Sequence, residues 1–253
     1  MNNTNPDKLT VIGHLEELRK RIIISLVYLS CGTLISFIFA KDIILFLKLP
    51  AENIIKNLVF TRPTEPFIIY FKVALYTGAI ISSPAIFYQI WQFIKPAISQ
   101  QTKISLFNWV ISVVIMFIIG TVFSYKIIIS SGLNFLIKFA DSIATPMITV
   151  DSYISFVLMI LVLGGIVFEM PVISGLLTKL GIITPYMMRK RRKEAIFGLC
   201  VFVAIITPTV DAFNMVIFVL PMIVLYEASI FVSNLIYNHS KKYVHKSVYE
   251  NQS

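Results

Sequence analysis

Charge is what this sequence has least of. Only 14% of its 253 residues are Asp, Glu, Lys or Arg, where a soluble domain carries about 25%. With 57% hydrophobic residues and a mean hydropathy of +0.82, a water-soluble globular fold is excluded. Cysteine is equally sparse. Cys31 and Cys200 both lie inside apolar runs, which suits packing residues and not a disulfide framework or a zinc site. His14, His239 and His245 stand apart from any cysteine pair, so no metal spacing results. There is no phosphate-binding P-loop and no nucleophile elbow. No nucleophile–base or metal constellation lies near the acids, so neither an enzyme nor a cofactor is expected. Strict apolar–polar alternation is missing, which excludes a membrane barrel. The two halves do not repeat each other, so the inverted-repeat signature of many transporters is missing too.

What remains is a succession of long apolar runs, the mark of an all-α membrane protein in a single integral domain (1–253). Residues 1–21 form a charged leading helix, with Ile12, Leu15, Leu18 and Ile22 on one apolar stripe. It passes directly into an uncharged stretch, Ile22–Ala40, of 19 residues. That is about 28 Å of helix, close to the hydrocarbon thickness of a bilayer. The charged run just before this stretch contains two acids, Glu16 and Glu17, which favours a retained anchor over a cleaved signal sequence. Further spans are predicted near 67–94, 104–125, 152–178, 195–210 and 212–237. Prolines break the loop 41–66 into short helices and turns. Pro84 should kink the second span, and Lys72, one to two turns inside it, can snorkel to the interface. Loop 126–151 should hold an amphipathic piece around Leu133–Phe139, and the polar tail 241–253 should be irregular.

Six spans put both termini on one side. The N-terminal segment, the 95–103 and 179–194 loops and the tail hold fifteen of the 22 lysines and arginines. The positive-inside rule therefore places both termini in the cytoplasm or its organellar equivalent. The net charge of +9 fits attraction of these loops to anionic lipid. The basic residues flank spans and form no broad surface, so nucleic acid is not an expected partner.

Three acids invite explanation. Glu169 lies about nine residues inside the fourth span, roughly 14 Å deep. An acid there is costly unless paired, protonated or wet. Pro171 frees a backbone carbonyl nearby, so together they suggest a polar notch facing a groove; the alternative is a hydrogen bond made for packing. Glu227 in the sixth span leaves the same two readings open. Glu17 stands four residues before Arg21, acid before base, and on spacing alone reads as a weak surface pair. Coupling acids at Glu169 and Glu227 would also serve a proton- or ion-coupled small-molecule transporter.

A series of short motifs runs through the chain in order. His14-Leu15-x-Glu17-Leu18-Arg19-x-Arg21 opens it, and Pro50 follows the first span. Thr64-Glu65-Pro66-Phe67 and then Ser83-Pro84-x-x-x-Tyr88-Gln89-x-Trp91-x-Phe93-x-x-Pro96 enclose the second. Tyr125 ends the third. Tyr153-x-Ser155-Phe156 and Phe168-Glu169-x-Pro171 mark the fourth. Ile206-Thr207-Pro208 with Asp211, then Pro221 and Tyr226-Glu227, mark the last two. In this order and spacing, over about residues 10–238, the chain resembles the TatC family, the large polytopic subunit of the twin-arginine protein translocase.

The resemblance implies a receptor and scaffold. Such proteins recognise precursors of folded cargo by a signal peptide bearing paired arginines, and the proton-motive force drives passage. It implies single-span partners, TatB-like and TatA-like, and a homo-oligomer in the receptor complex. The membrane would be bacterial and cytoplasmic, or else thylakoid or mitochondrial inner. The six spans would form a curved bundle with a concave groove within the membrane. Glu17 would supply the carboxylate for the visiting guanidiniums, a match of planar, bidentate groups. Arg19 would orient that carboxylate or contact the peptide, and Phe93 would meet the apolar part of the signal. Glu169 and Pro171 would face the groove, with Met215 and Glu227 as further partner contacts. Pro50, Pro84, Tyr125 and Asp211 match structural positions. The family's second carboxylate, in the 95–103 loop, is replaced here by Thr102. Glu16 is a candidate substitute, although adjacent residues point about 100° apart on a helix.

Overall fold

A computed structural model describes residues 6–52, 54, 55, 58–95, 106–141, 147–206 and 212–250. The described chain is built of helices: α1 (Pro6–Ile38), α2 (Ala40–Lys48), α3 (Glu65–Ile94), α4 (Leu106–Phe123), α5 (Ser130–Asp141), α6 (Val150–Phe168), α7 (Met170–Lys179), α8 (Pro185–Lys190), α9 (Arg192–Ile206) and α10 (Ala212–Glu250). Among the described residues, five helical stretches are long and apolar enough to cross a bilayer: Gly13–Ile38, Glu65–Ile94, Asn108–Phe135, Val150–Lys179 and Phe218–Asn238. The short fifth span of the six predicted corresponds to α9, of 15 residues, about 22 Å of helix. Exposed leucines and isoleucines such as Leu34, Ile38 and Ile205 suit faces turned to lipid, which costs them nothing.

By its internal contacts the chain forms two units. The first comprises Met1–Lys48, Val59–Val114 and Thr149–Leu158, and the second Leu49–Leu58, Ile115–Ile148 and Met159–Ser253.

In the first unit α1 packs along α3. Small residues allow the approach. A Cβ on Gly78 would lie 2.5 Å from the Thr33 nitrogen, and one on Gly32 would lie 2.7 Å from the Gly78 carbonyl oxygen. Ser82 Oγ donates across the same crossing to the Tyr28 carbonyl, at 2.8 Å. Pro84 does not interrupt α3. It removes the donor that the Ile80 carbonyl would otherwise receive, and Ser83 Oγ donates there instead, at 2.7 Å.

The start of α6 is tied to α3 by polar contacts the sequence did not reveal. One Glu65 carboxylate oxygen accepts from the backbone N–H groups of Thr61 and Arg62 and the other from that of Asp151. Lys72 has an acid partner that the sequence did not reveal. Its ammonium donates to Asp151 at 2.6 Å and to Ser155 at 3.0 Å. Val59 and Thr149 form an isolated parallel bridge. As expected, the loop after the first span is a short helix and turns, with Pro50 in the 3-10 turn Leu49–Ala51. Tyr153 Oη donates to the Leu47 carbonyl at 2.7 Å.

In the second unit the third span departs from its predicted end. The helix does not stop at Tyr125. It passes through a π-helical segment, Ser124–Ile129, into α5. A single lysine, Lys126, was read as the exit, but one long cation near a span end can reach the interface without ending the helix. The amphipathic piece Leu133–Phe139 is therefore part of α5 and not a loop element. The fourth span breaks into α6 and α7 at Glu169, because Pro171 cannot donate to the Val167 carbonyl. Against α7 lies α10, joined to it by buried hydroxyls: Ser174 Oγ donates to the Ser229 carbonyl, and Thr178 and Ser233 share a 2.6 Å hydrogen bond. Leu199 and Val203 are the buried residues of α9, which also packs on α10. The tail predicted to be irregular continues α10 to Glu250.

Candidate functional site

The charged leading helix and the first span are one continuous helix, so Glu17 sits on rigid backbone about one and a half turns before the uncharged stretch that begins at Ile22. Arg21, one turn on, reaches back to it with an Nη2–Oε1 distance of 3.3 Å. The same guanidinium donates from Nη1 to Gln89 Oε1 at 3.1 Å. Gln89 is buried in the last two turns of α3. His14, three residues before Glu17, stacks on Phe93, with ring centroids 4.4 Å apart. The predicted Glu17 and Phe93 thus belong to one patch on the α1–α3 pair, joined by His14, Arg21 and Gln89. Glu16 and Arg19 are exposed on the same helix, and among the described residues the ion-pair partner of Glu17 is Arg21. Trp91 and Trp109 pack against each other nearby, 4.7 Å between centroids.

Glu17 and Arg21 keep 29% and 24% of their side-chain surface exposed. A pair so placed is screened by water and holds weakly, by about 1 kcal/mol or less. Chemically this makes Glu17 an acid already shaped around a guanidinium, through one oxygen only, and cheap to separate from it. A second guanidinium can be admitted at little cost, with Arg21 held in place by Gln89. Sequence spacing revealed the Glu17–Arg21 pair. Gln89 was read only as an interfacial residue, and its 68-residue separation from Arg21 left no periodic signal.

In the second unit Glu169 occupies the break between α6 and α7. It is 4% exposed, and neither carboxylate oxygen has a hydrogen-bond partner among the described residues. It stands at the N-cap position of α7 but its side chain does not cap it. Among the described residues, no hydrogen bond to a neighbouring helix is formed. Pro171 is buried beside it. Phe168 packs on Phe123, centroids 5.2 Å apart.

Glu227 differs from Glu169. Its Oε2 accepts from Arg192 Nη2 at 2.7 Å, and both side chains are 46% exposed. It is a paired acid at a basic loop and not a second solitary one. Met215 is partly buried in the first turn of α10, and Tyr125 lies in the π-helical segment. Thr102 and Asp211 fall outside the described residues. Among the described residues no cluster of His, Cys, Asp and Glu could hold a metal ion.

A model of the family described as Sec-independent protein translocase protein (TatC) matches residues 13–221. The Sec-independent protein translocase protein TatC of Aquifex aeolicus is 40% identical over 241 residues, covering 92% of this chain and 98% of its own. A chloroplastic TATC of Arabidopsis thaliana is 31% identical, over 87% of this chain and 64% of its own. A crystal structure of a twin arginine translocase receptor, TatC, superimposes with a TM-score of 0.79 at 40% identity, covering 88% of this chain and 99% of that one.

Proposed function

Because the chain belongs to the TatC family of Sec-independent protein translocase proteins, we propose that its α1–α3 patch is where the paired arginines of a precursor's signal peptide dock. The family transports proteins and does not catalyse a reaction, and a multi-pass place in a bacterial cytoplasmic membrane follows, with organellar relatives alongside. As a translocase component it works with other subunits of the system and with precursor proteins.

The observation that carries the proposal is the Glu17–Arg21–Gln89 arrangement. Glu17 offers a carboxylate whose present guanidinium partner is weakly held and independently anchored. An incoming arginine can take the free face of that carboxylate. Phe93, stacked with His14 at the same helix ends, is placed to meet apolar residues following the arginines, and Arg19 to contact the peptide backbone. Glu16 is the exposed neighbour available to a second arginine, in place of the acid that Thr102 replaces.

Glu169 has a separate part. A buried carboxyl with no partner favours the approach of a helix that brings a donor. We assign it to lateral contact with a single-span TatB-like or TatA-like subunit, with Pro171, Met215 and Glu227 as neighbours in the six-span bundle, N- and C-termini cytoplasmic. Passage would draw on the proton-motive force, and the receptor complex would contain several copies of this chain. A small-molecule transporter is disfavoured, since Arg192 already engages one of its two required acids.

Purification from native membranes tests the whole reading: single-span subunits and an Arg-Arg precursor should accompany the chain. Cysteine crosslinks between α7 and a TatB-like helix test the second part. Glu169→Ala should abolish them while the protein remains inserted; unchanged crosslinks would remove Glu169 from the interface.

A further inference from the structure

The segment between α7 and α9 takes no part in either site, yet it is closely built. Gly181, at φ 75°, closes α7: its N–H donates to the Thr178 carbonyl and that of Ile182 to Leu177, both at 3.0 Å. This is the paired hydrogen-bond stop that a left-handed glycine permits. Thr184 Oγ1 then accepts from Met187 N and caps α8. Two ties hold the segment to α10: Tyr226 Oη donates to the Met188 carbonyl at 2.9 Å, and Arg192 binds Glu227. Arg191 faces Glu194 at 3.9 Å with both more than 70% exposed, a contact worth little.

Three cations are left over. Arg189, Lys190 and Lys193 are exposed and have no acid partner among the described residues. Beside them Tyr186 is 73% exposed, with Ile182, Met187 and Phe197 exposed as well. Tyr186 lies three and four residues before Arg189 and Lys190 on α8, so all three share one face. Such a run of apolar side chains is out of place in bulk water. The segment follows directly from the span that ends at Lys179 and leads directly into α9, which holds it at headgroup level. Exposed cations beside an exposed aromatic ring complement one class of molecule, an anionic headgroup phosphate joined to acyl chains.

We propose that this face binds an anionic phospholipid. Arg189, Lys190 and Lys193 contact the headgroup phosphate, and Tyr186 sits at the level of the ester carbonyls. The full chain in zwitterionic detergent, titrated with phosphatidylglycerol and read by native mass spectrometry, provides the test. The variant Arg189→Gln/Lys190→Gln/Lys193→Gln should lose at least about tenfold in apparent affinity, since each nearby cation contributes roughly fivefold. Phosphatidylcholine retention should not change. Lys41→Gln/Lys48→Gln, which removes exposed cations elsewhere, should leave phosphatidylglycerol affinity intact. Tyr186→Ser keeps every charge and should still shorten lipid retention. Wild-type affinity in the triple variant overturns the proposal, and so does an equal loss in the Lys41/Lys48 control. Displacement of the lipid by millimolar inorganic phosphate would assign the site to a free anion, and displacement by a soluble acidic peptide would assign it to a protein partner. Either result would overturn it.

Discussion

Replacing Gly78 by alanine puts a methyl group where α1 passes closest to α3. The new carbon would lie 2.5 Å from the Thr33 nitrogen, 2.7 Å from its Cα and 2.8 Å from the Gly32 carbonyl carbon. All three are backbone atoms, so no rotamer change relieves the clash. Ordinary contact needs about 3.5 Å, so the helices must part by about 1 Å at the crossing. Overpacking of this kind costs about 1–3 kcal/mol. Alanine's better helix propensity returns nearly 1 kcal/mol. A net loss of up to about 2 kcal/mol would lower the melting temperature by up to roughly 8 °C for a domain of this size, and the deficit against a glycine-to-alanine change in open space is the full cost of about 1–3 kcal/mol. Trp91 and Trp109 are the only tryptophans in the chain, and both lie in the unit that contains this crossing. Their fluorescence during heating of the detergent-solubilised protein therefore reports on it. Gly13→Ala is the control, because nothing lies within 4 Å of its added carbon. The same helix pair carries the Arg21–Gln89 and His14–Phe93 contacts, so Gly78→Ala should also weaken signal-peptide binding. A Gly78→Ala protein that melts at or above the Gly13→Ala temperature would refute the close-approach argument.

Two further perturbations follow from buried hydrogen bonds. Tyr153→Phe removes the donor to the Leu47 carbonyl at the end of α2, where the helix supplies no donor of its own; it should cost about 1–3 kcal/mol, and unchanged thermal stability would contradict this. In the α7–α10 contact, a double-mutant cycle of Thr178→Ala and Ser233→Ala should give a coupling of about 0.6 kcal/mol, with about 1.7 as a ceiling. Strictly additive losses would show that the 2.6 Å hydroxyl contact contributes nothing beyond its parts.

Five of the spans were legible, because hydropathy is summed over about twenty residues and tolerates local error. The freed carbonyl near Glu169 was legible from Pro171, but the break itself was not, because Pro84 and Pro221 sit within helices that run on unbroken. Glu17 and Arg21 were legible because a pair four residues apart needs no tertiary knowledge. The course of the third span was not. Tyr125-Lys126 looks like an interfacial ending, and only packing decides that the helix runs on into α5. Lys72 was given to the interface because its acid, Asp151, is 79 residues away. Gln89 and the tie from Glu65 to Asp151 were hidden for the same reason: contacts between distant segments leave no period in the sequence. Glu227 was grouped with Glu169 because both are acids within predicted spans, and the structure separates them by giving only Glu227 an arginine among the described residues.

The central claim is that the Glu17 carboxylate receives a guanidinium from outside the chain. The measurement that meets it most directly is the affinity of the purified protein for a signal peptide with Arg-Arg and for the same peptide with Lys-Lys, in wild type and in Glu17→Gln. A charge-assisted hydrogen bond contributes about 1.5–3 kcal/mol, so Glu17→Gln should weaken the Arg-Arg peptide by roughly ten- to a hundredfold and the Lys-Lys peptide distinctly less. Equal weakening of both, or none of either, would contradict the account.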